Sequence, residues 1–107
     1  MAAWAQLFAA GVLEVVMAFA LKASAGVTRP APALLAVLAA LGSIWLLACA
    51  VRTLPLGIAY AVWTGIGALG VSLVGVALFA EPLSPARMLC MALVFAGIAG
   101  LRALAPA

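Results

Sequence analysis

The sequence predicts an all-α integral membrane protein with four transmembrane helices. Of its 107 residues, 71% are hydrophobic and only 7% carry a charged side chain. A soluble domain is about half apolar and about a quarter charged, and a domain this short keeps much of its surface exposed. The apolar side chains therefore need lipid around them, and the length suffices for one domain.

Four apolar segments are each long enough to cross a bilayer, which takes roughly 20 residues. We expect helices over about residues 4–21, 33–50, 56–79 and 86–104. Little sequence remains outside them, so the chain has no room for a soluble catalytic domain and is not expected to be an enzyme. Prolines mark the three connections, where helices end most easily: Pro30, Pro32, Pro55, Pro82 and Pro85.

The first helix carries Glu14, the one acidic residue within a predicted span. No basic residue precedes this segment and Glu14 interrupts it, so we interpret it as retained rather than as a cleaved signal. Glu14 lies about ten residues into the helix, roughly 15 Å deep at about 1.5 Å per residue. A carboxyl group near the bilayer midplane is costly and indicates a functional site. Its helical neighbours include no basic residue: Leu7, Ala10, Gly11, Met17, Ala18 and Leu21.

The second helix contributes Ser43, a polar residue deep in an apolar segment. Its hydroxyl could donate a hydrogen bond to Glu14. We interpret Trp45 on this helix, and Trp4 on the first, as aromatics that pack in the core, against lipid or at the interface. Cys49 and Cys90 are interpreted as small buried hydrophobic residues.

The third helix contains the stretch WTGIGALG, which has the G-x-G-x-x-G spacing of a dinucleotide-binding turn. That turn needs a preceding strand and a helix that begins at the glycines, whereas this stretch lies midway along a membrane span. Glycines in a membrane helix instead permit close packing and bending. Gly65 and Gly67 are therefore predicted to allow packing alone, or packing together with a conformational hinge.

The candidate site around Glu14 also includes Tyr60, Trp63 and Thr64. These residues share one face of the third helix because they are spaced by three and four residues. Aromatic rings bind organic cations through their faces, and Tyr60 and Trp63 each carry a donor that could orient Glu14. A midplane carboxyl that holds either a proton or a cation is the minimum requirement for proton-coupled cation exchange. The expected ligands are therefore protons and small organic cations.

The fourth helix presents a surface of small side chains, which allow a second helix to approach closely. We expect dimer packing at this surface, against a helix of a second chain: Ala92, Ala96, Gly97 and Gly100.

The positive charges favour neither orientation of the chain in the membrane. Arg52 and Arg102 lie on one predicted side, and Lys22, Arg29 and Arg87 on the other. Cytoplasmic loops normally carry an excess of such residues. The near balance predicts insertion in both orientations and an antiparallel dimer. The alternative is that an excess of one basic residue is enough to set a single orientation. Histidine is absent and only two residues are acidic, which excludes most metal sites and most acid–base pairs. We expect no metal, organic cofactor or nucleic-acid partner.

Four segments of the sequence resemble the small multidrug resistance family of bacterial exporters: LEVVMAFALKASAGVTRP, LPLGIAYAVWTGIGALG, EPLSPARM and GIAGLRA. The resemblance implies an antiparallel, dual-topology homodimer in the bacterial inner membrane that exports cations in exchange for protons. It places Glu14 of both chains at a shared site and matches Tyr60 and Trp63 to the family's binding and switching aromatics. Ser43 matches the position that hydrogen-bonds the glutamate in the guanidinium-exporting branch.

Within this family, WTGIGALG with Thr64 resembles the guanidinium exporters. Three positions depart from that branch: Met17 stands where it usually has tryptophan, Ile58 where it usually has threonine, and Arg102 where it usually has lysine. Because Met17 and Ile58 are apolar, we expect the site to accept alkyl and aryl guanidiniums and also quaternary ammonium compounds. The alternatives are a broad multidrug exporter without a guanidinium role, a membrane scaffold subunit that transports nothing, and a passive channel.

Overall fold

The computed structural model describes residues 2–104, whose regular structure is helical. The helices are α1 (Ala2–Ala23), α2 (Pro30–Ala50), α3 (Leu56–Leu78) and α4 (Pro85–Leu104). Each is long and apolar enough to cross a membrane. This confirms the predicted fold class of four membrane-spanning helices.

The helix boundaries differ from the predicted ones by at most three residues, and the largest difference is at the start of α2. Pro30 and Pro32 were expected in the connection but lie in the first turn of α2. Proline fits there because the first amide groups of a helix have no partner within the helix. For the same reason α4 can begin at Pro85. Ser84 caps this helix, because its Oγ atom accepts a hydrogen bond from the backbone N–H of Arg87 at 3.1 Å.

The helices form a thin layer in the order α2, α1, α3, α4. Helix α1 packs extensively against α2 and α3, α4 packs against α3, and α2 contacts α3 only sparsely. The Cα positions extend over 43 × 34 × 17 Å, so the short dimension is half the next one and the molecule is flat. Glu14 therefore lies on one of the two inner helices of this layer.

The buried core lies at the end of the layer where α1 begins, α4 ends and the α2–α3 connection lies. Trp4 and Leu7 of α1 pack there with Leu54 and Val62. The Arg102 guanidinium lies 4.5 Å from the centre of the Trp4 ring, a cation–π contact that holds the end of α4 near α1.

The opposite end of the layer carries the α1–α2 and α3–α4 connections. Ser24 is fully buried and its hydroxyl donates to the Leu21 carbonyl oxygen at 2.7 Å, which closes α1. Arg87, in the first turn of α4, binds the α3–α4 connection. Its side chain donates to a Glu81 carboxylate oxygen at 2.9 Å and to the Pro82 carbonyl oxygen at 2.7 Å. These bonds order the α3–α4 connection.

Candidate functional site

Glu14 lies near the middle of α1, on the side that faces α3. Opposite it is Gly67, where an added β-carbon would collide with the Glu14 carboxyl group. The Glu14 Oε1 atom is buried and has no hydrogen-bond partner among residues 2–104. Buried polar atoms are normally hydrogen-bonded, because desolvation without a partner costs free energy. This oxygen is therefore an acceptor suited to a proton or to a donor group of a bound cation.

A hydrogen-bonded chain links the three helices around Glu14. The Trp63 indole N–H donates to Ser43 Oγ at 2.9 Å, and the Ser43 hydroxyl donates to the Ala10 carbonyl oxygen at 2.7 Å. Ser43 is only 1% exposed, so its bond to Ala10 is buried, and the bond from Trp63 is part-buried. The chain joins α3 to α2 and α2 to the turn of α1 that precedes Glu14.

This chain differs from the hydrogen bonds that the sequence suggested. Ser43 was expected to donate to Glu14, and Trp63 was considered able to orient Glu14 directly. In the structure the single Ser43 proton goes to Ala10, and the single indole proton goes to Ser43. Because each group donates only one hydrogen, neither is free for Glu14 in this conformation.

Tyr60 and Thr64 lie one turn apart on a surface of α3 that is exposed in the single chain. Tyr60 is 53% exposed, and its ring lies 5.4 Å from that of Trp63, at an interplanar angle of 58°. The Thr64 hydroxyl donates to the backbone oxygens of Tyr60 at 2.9 Å and Ala61 at 3.2 Å. The structure thus pairs the two aromatic rings but directs the Thr64 proton to its own helix.

Met17 and Ile58, the two apolar departures from the guanidinium branch, are both half-buried. Met17 lies one turn after Glu14 on α1, within the membrane span. Ile58 packs, as Trp63 does, against the buried core cluster. Neither side chain brings a hydrogen-bond donor toward the site.

The glycines predicted as a hinge lie at close contacts between helices. An added β-carbon at Gly65 would lie 2.8 Å from Ile98 Cδ1 of α4, and one at Gly67 would meet Glu14. Helix α3 continues without a break through both positions. The contacts explain a packing role, and hinge motion stays a prediction.

The four small residues predicted to pack in a dimer are all exposed in the single chain: Ala92, Ala96, Gly97 and Gly100. No residue of α4 (Pro85–Leu104) is buried, and an added β-carbon at Gly97 or Gly100 would meet nothing within 4 Å. The surface is therefore unoccupied by the described part of this chain, and its pairing with a second copy stays a prediction. Cys49 is half-buried but Cys90 is exposed, which contradicts the expectation of two buried thiols.

Comparison with known proteins identifies the family of this chain. The sequence profile described as "Small Multidrug Resistance protein" matches residues 2–94. The chain belongs to the small multidrug resistance family. A "Guanidinium exporter" of Citrobacter freundii is 50% identical over 99 residues, which cover 92% of this chain and 94% of the relative. A "Guanidinium exporter" of Yersinia pseudotuberculosis is 48% identical over 100 residues, which cover 94% and 96%.

This small multidrug resistance protein is a multi-pass protein of the bacterial inner membrane, as its four membrane-spanning helices and its relatives indicate. The resemblance and the localisation inferred from the sequence are thereby confirmed. The names of the relatives describe export rather than catalysis, in agreement with the expectation that the protein is a transporter and not an enzyme.

Sequence reasoning missed one feature of the site and one of the core. The first is the Ala10 carbonyl oxygen, for which no signal exists because every residue carries one. The second is the contact of Arg102 with Trp4. Four spans place both termini on the same side of the membrane, so the topology could have suggested that pair.

Proposed function

We propose that this small multidrug resistance protein is a proton-coupled antiporter that exports small organic cations. Two copies in opposite orientations each contribute Glu14 to one shared site. The observation that carries the proposal is the buried Glu14 oxygen beside Gly67, which lacks a partner among the described residues. Relatives named as guanidinium exporters, 48% to 50% identical over most of the chain, support guanidinium as a substrate.

The proposed exchange rests on competition for the Glu14 carboxylates. A proton or a cation can neutralise the charge, and binding of one disfavours binding of the other. Both carboxyl groups take up protons in the outward-facing state and release them to the cytoplasm after the dimer changes conformation. A cation then binds, and the loaded dimer returns. Guanidinium suits the site because its planar N–H groups pair with carboxylate oxygens.

The aromatic pair and the apolar residues around it set the expected substrate range. Tyr60 and Trp63 offer ring faces to a cation, and Ser43 holds the Trp63 indole in place. Met17 and Ile58 add no polar groups that a bulky ligand would leave unpaired. We therefore expect the protein to export alkyl and aryl guanidiniums as well as guanidinium, and to accept quaternary ammonium compounds.

Transport currents in proteoliposomes test this proposal. We would compare guanidinium, phenylguanidinium and a tetraalkylammonium at matched pH, in wild type and in Glu14→Gln. Wild type should give saturable, proton-coupled currents with all three cations, and E14Q should give none. A response to the guanidiniums alone would restrict the substrate range. Absence of current with every cation would favour a scaffold, and an unsaturable current that needs no proton gradient would favour a channel.

A further inference from the structure

A cleft opens between α1 and α3 at the end of the layer that carries the α3–α4 connection. It has a volume of about 140 Å³, and its walls are mainly aliphatic and aromatic. A second depression of about 220 Å³ shares Val15, Phe19 and Val74 with it and is also lined by Leu78, at the end of α3. Together they form an apolar groove between the two helices, whose first part reaches from Lys22 and Phe79 at the membrane surface inward to Val15 and Val71. We name it the α1–α3 groove.

The mouth of the groove carries an uncompensated positive charge. The Lys22 Nζ atom lies 5.7 Å from the centre of the Phe79 ring, which directs the ammonium group over the opening. Phe19 and Phe79 flank this position with ring centres 5.7 Å apart. Glu81 also lines the mouth, but its carboxylate is paired with Arg87 at 2.9 Å. No salt bridge to Lys22 occurs within residues 2–104.

We propose that the α1–α3 groove binds one anionic phospholipid, with the lipid phosphate at Lys22 and one acyl chain along the seam. A cation at the headgroup level above an apolar channel matches both parts of such a lipid. The charge of Lys22 disfavours a cationic occupant at the same place. Glu14 itself lines neither depression, although Val15 beside it lines both. Lipid binding is therefore tested by a readout that does not involve cation exchange.

Native mass spectrometry of the purified full-length protein tests the proposal. The protein in detergent would be titrated with phosphatidylglycerol or phosphatidylcholine that carry the same acyl chains. We expect phosphatidylglycerol to bind more tightly. Lys22→Gln should weaken its binding about fivefold, the effect of one basic residue near an anionic lipid, and leave phosphatidylcholine unchanged. Lys22→Arg should keep the wild-type affinity.

Matched variants separate the groove from general surface effects. Arg29→Gln removes a positive charge from the same end of the protein but outside the groove, and should leave binding unchanged. Val71→Phe fills the groove and should weaken both lipids, whereas Val12→Phe, at another exposed valine, should weaken neither. Equal losses in K22Q and R29Q, or unchanged binding in V71F, would overturn the proposal. Native mass spectrometry detects lipid binding without transport. The result therefore does not depend on whether the protein is an antiporter.

Discussion

Glu14 is positioned through the backbone of its own helix. In an α-helix the N–H of residue 14 bonds to the carbonyl oxygen of residue 10, and that oxygen also accepts the Ser43 hydroxyl. Trp63 in turn donates to Ser43. Ser43 and Trp63 therefore hold the turn of α1 that carries Glu14, without touching the carboxyl group themselves.

We expect Ser43→Ala to loosen this turn. The change removes both hydrogen bonds and leaves the Trp63 N–H without its acceptor in apolar surroundings. The free energy of unfolding should fall by about 1 kcal/mol, the scale measured for buried hydrogen bonds between membrane helices. Proton-coupled transport should weaken through a higher KM for guanidinium. Denaturant titration and proteoliposome transport would measure the two effects.

Ser72→Ala provides the control for this prediction. Ser72 is likewise a serine within a membrane span, but it is half-buried and lines a groove between α3 and α4 beside Met91 and Val94. It should leave KM unchanged. Equal stability and transport in S43A and wild type would show that the chain of hydrogen bonds does not position Glu14.

At the level of the elements, the glycines of α3 mark where α1 and α4 pack closely against it. Its glycines receive side chains from both neighbours: Glu14 and Val15 of α1 lie over Gly67 and Gly70, and Ile98 of α4 lies over Gly65. Membrane helices gain stability from such close packing, because lipid provides no hydrophobic drive for association. The dinucleotide-like spacing in this helix thus reflects where two neighbours meet it.

Gly67→Ala should separate α1 from α3 at the site. The added methyl group would collide with the Glu14 carboxyl, so we expect loss of cation-driven proton release and lower stability. Gly57→Ala is the matched control, because an added β-carbon there meets nothing within 4 Å. That variant should be neutral or stabilised by up to about 1 kcal/mol, since alanine favours a helix over glycine. Proton release from detergent-solubilised protein would measure function, and similar results for both variants would contradict the prediction.

At the scale of the whole molecule, the single chain is an open layer. No residue of α4 (Pro85–Leu104) is buried, and Tyr60 faces outward from α3. Such surfaces need lipid or a second copy against them. The two ends carry similar numbers of basic residues, which agrees with copies in opposite orientations.

Changing this balance should bias the orientation. A cysteine at Thr53, with Cys49 and Cys90 replaced by alanine, reports which side of the membrane the α2–α3 connection faces. We expect wild type to be labelled from both sides. Arg52→Gln leaves one basic residue against three, so its α2–α3 connection should face outward and transport should fall. Co-expression with a Lys22→Gln/Arg29→Gln/Arg87→Gln variant, which leaves two basic residues against none and is biased the other way, should restore transport. Labelling of wild type from one side only would exclude dual orientation.

The sequence by itself determined the membrane class and the four helices, and it singled out Glu14 as the candidate site residue. Apolar length and a midplane charge are local properties, and their cost in lipid does not depend on neighbouring helices. The partners of Ser43 and Trp63, and the side chains that lie over Gly65 and Gly67, were decided only by the tertiary structure. Each such contact joins different helices, so it depends on their relative rotation and depth, which packing sets.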